Sequence, residues 1–150
     1  MSSIEVLKKL FGEEYIMKII EARRTGRLAL LGDPIAAIKE ALDTIRERPD
    51  FPAAEIQGGK FTVMLVEVPI NKEVFIKQTS TGNWKLGVLC GGQWVSLFAP
   101  DFDSLNELES GEMYFVITDK LRKREVNGVE FFSANLLYSI KLSDFEKHLS

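Results

Sequence analysis

The chain is poor in the side chains on which much enzyme chemistry depends. Among 150 residues there is one cysteine, Cys90, and one histidine, His148. A single cysteine cannot close an internal disulfide or build a cysteine-based metal site. A lone histidine near the C-terminus leaves zinc binding and general-base catalysis without their usual groups. Cys90, between Leu89 and Gly91, reads as a small buried apolar residue. Long apolar runs are missing too: none approaches the ~20 residues that cross a bilayer. The N-terminal MSSIEVLKKL lacks the basic-then-apolar layout of a secretory leader. These absences predict a cytoplasmic protein with no membrane contact. There is no internal repeat and no low-complexity segment. Nor is there a phosphate loop, because GGKFT (58–62) has Ala54 where a Walker motif needs glycine and Phe61 where it needs Ser or Thr.

What is present is the material of a folded domain. The sequence is 45% hydrophobic and 27% charged, which suits a soluble core rather than a disordered tail. The net charge of -3 argues against a purely electrostatic nucleic-acid binder, while leaving room for a local basic groove.

The first third follows a helical period. Ser2 and Glu5 stand at capping-box spacing before Ile4, Leu7, Leu10 and Phe11. A second helix is expected from about Glu13 to Arg24, with Gly26 as its stop. Asp33-Pro34 then caps and opens a third, in which Ile35, Ile38, Leu42 and Ile45 repeat at three- and four-residue steps. The Pro-, Ala- and Gly-rich stretch at 51–59 reads as a linker.

Beyond it the period becomes two. FTVMLVEV (61–68) and EVFIKQ (73–78) form one bent strand or two short ones, bent at Pro69 and Asn71. WKLGVLC (84–90) and QWVSLFA (93–99) flank Gly91-Gly92 as a hairpin. Ser104 to Glu107 again has capping-box spacing, ahead of a short helix with Leu105 and Leu108 to bury. Two last strands meet at Asn127-Gly128, the strongest short hairpin signal available. The acids Asp101, Asp103, Glu107, Glu109 and Glu112 read as a solvated acidic face rather than a metal or general-acid site.

The result is an α+β chain: a helical N-terminal region (1–50), the linker (51–59), five antiparallel strands with a helix between the third and fourth (60–142), and a short C-terminal helix (143–150). That strand and helix order is the order of an OB-fold β-barrel. The segments LVEVPINKEVFIKQTSTGNWKLGVLCGGQWVSLFA and LESGEMYFVITDKLRKREVNGVEFFSANL resemble the OB domains of the replication protein A family of single-stranded DNA-binding proteins. The resemblance implies a non-enzymatic protein of DNA replication, repair or recombination. It implies no cofactor and no metal, and a binding face on the second and third strands, between loops 79–83 and 120–128.

On that face the expected nucleic-acid contacts are Lys77, Trp84, Lys85, Trp94, Phe98, Lys120, Arg122, Lys123, Arg124 and Phe131. Aromatic rings stack on bases whatever their sequence, and Lys or Arg neutralise phosphates. Trp94, Ser96 and Phe98 share one face of their strand, with Val95, Leu97 and Ala99 on the other. Phe131 and Phe132 also alternate, so one belongs to the core while the other can meet a base. RNA would suit the same face, since nothing in the sequence reports a contact to a 2′-hydroxyl. The rival from another class is an OB-fold interaction subunit without nucleic-acid binding, using the N-terminal helices for homo- or hetero-oligomeric assembly. For that rival the cations of 120–124 are a solvated hairpin tip.

Overall fold

A computed structural model describes residues 31–47 and 51–149. The two helices expected before residue 31, and the oligomerisation assigned to them, lie outside the described residues. Helix α1 spans Pro34–Glu47 and starts as its sequence dictates. Asp33 Oδ1 accepts the N–H groups of Ile35 and Ala36 at 3.0 and 3.4 Å, and Pro34 occupies the first turn, where no N–H is needed. Its apolar stripe buries Ile35, Ile38 and Ala41.

The strands are β1 (Ala53–Ile56), β2 (Phe61–Glu67), β3 (Ile76–Gln78), β4 (Trp84–Cys90), β5 (Gln93–Ala99), β6 (Met113–Asp119), β7 (Arg122–Val126) and β8 (Val129–Lys141). Three further helices, α2 (Lys72–Phe75), α3 (Phe102–Asn106) and α4 (Leu142–Leu149), complete the described residues. The strands form one eight-stranded sheet in the order β1-β2-β6-β8-β5-β4-β3, with β7 added on β8. One register pair, Glu67 with Leu89, returns β4 to β2, so the sheet curls into a partial, barrel-like ring.

Three details differ from the sequence reading. The stretch expected as linker holds β1, because Ala54 and Ile56 are apolar at period two and pair antiparallel with β2 across a turn of positive-φ residues, Gln57, Gly58 and Gly59. The sheet has eight strands rather than five: β1 is one addition, the stem of the last hairpin is long enough to pair as β7, and α2 separates β2 from β3. The pairing is also not wholly antiparallel, since β8 runs parallel to β5 from Val95/Phe132 to Phe98/Asn135. A strand that re-enters after a helix and a hairpin has the length of connection that a parallel pair requires.

Two apolar clusters organise the sheet. Inside the ring lie Met64, Val66, Leu86, Val88, Cys90, Val95, Leu97, Tyr114 and Val116, with Leu105 and Leu108 entering from the α3 segment. Outside the ring, Phe61, Val63, Phe115, Ile117, Tyr138 and Ile140 are covered by α1 and by Phe145 of α4. The long β8 serves both regions through a β-bulge. Ile117 pairs with Tyr138 but Thr118 with Leu136, leaving Leu137 without a register partner. One extra residue reverses which side chains face outward. C-terminal to the bulge, Tyr138 and Ile140 point outward beneath the helices; N-terminal to it, the outward residues are Phe131, Ser133 and Asn135, which no helix among the described residues covers.

Candidate nucleic-acid interface

The outer face that α1 and α4 leave uncovered is built by β3, β4, β5, β7 and the first part of β8, and the register determines which side chains share it. Lys77 pairs with Lys85, Lys85 with Phe98, and Phe98 with Asn135. One step along, Gly87 pairs with Ser96, Ser96 with Ser133, and Ser133 with Arg122. The next outward positions are Leu89, Trp94, Phe131 and Arg124. The outward positions of these strands therefore carry four cations, Lys77, Lys85, Arg122 and Arg124, and no carboxylate. In a chain of net charge -3 this is a local segregation of sign.

Between the hairpin and the sheet the face deepens into a groove of about 410 Å³, lined by Lys85, Ser96, Phe98, Arg124, Phe131 and Ser133, with Val126 and Phe132 at its wall. Phe131 is 52% exposed and Trp94 42%, unusual for large apolar side chains in a packed sheet. Phe98 is half-buried. The groove lining thus offers ring faces, hydroxyls and cations. Among the described residues no His, Cys, Asp and Glu side chains gather as a metal site, and no helix is long and apolar enough to cross a membrane.

Of the ten expected contacts, Lys77, Lys85, Trp94, Phe98, Arg122, Arg124 and Phe131 fall on this one face. Three do not. Trp84 alternates inward with Leu86 and Val88, packs against the inner cluster, and meets the Phe102 ring edge-on at 5.0 Å. Lys123 lies on the opposite side of the hairpin, where its ammonium donates to Glu130 Oε1 at 2.8 Å. That hydrogen bond and the Glu130 charge raise the Lys123 pKa above the ordinary lysine value. Lys120 is exposed in the turn between β6 and β7, outside the strand rows. The basic run thus divides, with Arg122 and Arg124 toward the groove and Lys123 away from it.

Two contributors to the site escaped the sequence reading. Phe75, on α2, stacks on Trp94 with ring centroids 4.8 Å apart and planes 19° from parallel. Asp119 holds the base of the hairpin: its carboxylate accepts the Asn135 N–H at 2.8 Å and the Asn135 side-chain amide at 2.6 Å. Neither has a local sequence signal, because each depends on a partner distant along the chain.

A scan against protein-family models finds none that matches the chain, and a search of curated proteins finds no significant match.

Proposed function

We propose that this chain is a non-enzymatic single-stranded DNA-binding protein acting in replication, repair or recombination, and that its ring is an OB barrel. Numbering the ring strands β2, β4, β5, β6 and β8 as first to fifth, they pair in the order first, second, third, fifth, fourth, first, with α3 between third and fourth. That connectivity supports the OB reading. The observation that carries the functional reading is the open face itself: Trp94, Phe98 and Phe131 exposed to differing degrees beside four cations, with no carboxylate among the outward positions.

Each part has a physical role. A base stacked on an aromatic ring contributes about 1–3 kcal/mol with little regard to its identity, so Trp94, Phe98 and Phe131 would hold unpaired bases. A duplex keeps its bases stacked on one another and cannot offer those ring faces. Lys77 and Lys85 on one flank, and Arg122 and Arg124 on the other, would neutralise phosphates and release counterions.

The test is titration with oligo-dT, followed by tryptophan fluorescence and repeated at several salt concentrations. Quenching is expected, with a log-log salt slope of about -3 if all four cations meet phosphates at roughly 0.7 each. No quenching and no mobility shift at low salt would refute the proposal. Competition by a matched RNA oligomer separates DNA from RNA preference, since the same ring faces serve either polymer.

A further inference from the structure

We infer that Phe75 is the positioning residue for Trp94, and that the two rings form one stacking unit seated on Gly87 and anchored through Lys72. The inference rests on the single-strand-binding reading of this face and adds to it a residue from outside the β4–β5 and β7–β8 hairpins.

A tryptophan at an outward strand position can take several rotamers, most of them projecting into solvent. A ring that waves in solvent must be ordered before a base can stack on it, which weakens binding. Here three features restrict Trp94. Phe75 covers one of its faces at 4.8 Å in near-parallel geometry. Gly87, on the neighbouring strand, lets both rings settle toward the sheet: a Cβ at that position would stand 3.5 Å from Trp94 Cε3 and 3.6 Å from Phe75 Cδ1. An alanine methyl just fits, but a branched side chain would have to lift both rings. Finally, α2 is only four residues long and is held from its first residue, where Lys72 Nζ donates to the carbonyls of Asn106 and Leu108 at 2.9 and 2.8 Å. Phe75 is thereby referenced to the α3 segment whose Leu105 and Leu108 enter the core, and Trp94 to Phe75.

Trp94 stays 42% exposed beside that stack, and this exposed part of the ring is what a base would meet. The ring's orientation is set before the ligand arrives, so less ordering is left to be done on binding.

The test uses the full chain in a Trp84→Phe background, so that Trp94 is the only tryptophan. Near-ultraviolet circular dichroism and emission of the free protein report the ring pair, and oligo-dT titration reports its use. Phe75→Ala should lose the Trp94 dichroic band and raise the oligo-dT Kd about tenfold without changing the salt slope, because no phosphate contact is removed. Phe75→Tyr should keep the band and restore most of the affinity. Gly87→Ala should resemble the parent and Gly87→Val should resemble Phe75→Ala. The inference is overturned if Phe75→Ala leaves the spectrum unchanged, or alters the spectrum but not the Kd, in a protein that binds oligo-dT. If the parent itself fails to bind, the functional reading falls, and with it the use assigned to the platform. The spectra of the free proteins still decide whether Phe75 orders Trp94.

Discussion

Lys123 and Glu130 meet at 2.8 Å on the side of the β7–β8 hairpin turned away from Arg122 and Arg124. The pair divides a run of four nearby cations into two chemical populations. Serine substitution at Lys77, Lys85, Arg122 or Arg124 should each weaken oligo-dT binding several-fold at low salt and reduce the log-log salt slope by about 0.7. Lys123→Ser should leave both quantities unchanged. Fluorescence titrations of the single variants at several salt concentrations check the contrast.

The two tryptophans should separate in the same way. Trp94→Ala removes an exposed ring from the face and should cost about 1–3 kcal/mol of binding with little loss of stability. Trp84→Ala removes an inward ring packed on Phe102, and should destabilise the fold by about 1–3 kcal/mol while leaving oligo-dT affinity within about twofold. Urea unfolding beside the titrations measures both effects. The quenching signal should persist in Trp84→Phe and vanish in Trp94→Phe.

Gly91 and Gly92 make the β4–β5 turn with positive φ at both positions, yet they differ in what surrounds them. A Cβ on Gly91 would lie 2.6 Å from Pro52 Cγ and Cδ, whereas one on Gly92 meets nothing within 4 Å. Gly92→Ala should therefore cost only the backbone term of about 1–2 kcal/mol. Gly91→Ala should cost about 2–4 kcal/mol, because Pro52 leads into β1 and must move as well. Comparison of the two urea midpoints tests the difference.

Cys90 is fully buried, and burial pushes its thiol pKa up from 9.0 to about 12. The folded state therefore keeps its proton across a range in which the unfolded chain releases it. Between about pH 9 and pH 12 the unfolded state binds fewer protons, so stability falls as pH rises through that window. Below it the group contributes no slope. Cys90→Ala should flatten the alkaline limb of a stability-against-pH curve. In the native protein, a thiol reagent at neutral pH should label Cys90 only at the rate of opening.

Much of the architecture is legible locally. Asp33-Pro34 marks the start of α1, and Gly91-Gly92 and Asn127-Gly128 mark two hairpins, because each signal acts within a few residues. The joint placement of Trp94 and Phe98 on one face follows from strand alternation alone. Other features depend on partners far along the chain. The sequence at 53–56 becomes a strand only because β2 offers an edge, and Trp84 faces inward because the β4–β5 register pairs it with the buried Ala99. A loop-to-strand junction leaves that choice of phase open. The division of the basic run has the same origin: alternation separates Lys123 from Arg122 and Arg124, but only the pairing with β8 decides which set meets the groove.

The unpaired Leu137 gives β8 a change of phase partway along its length. Before it, outward side chains lie beside the β7 hairpin and the groove; after it, they pack beneath α1 and α4. One strand thus carries two independent design problems. Phe131 and Ser133 can be changed without disturbing Tyr138 or Ile140, whereas Asn135 is tied to Asp119 through its side-chain amide. Deleting Leu137 would remove the bulge and join the two series on one regular alternation, with Phe131, Ser133, Asn135, Tyr138 and Ile140 all still outward.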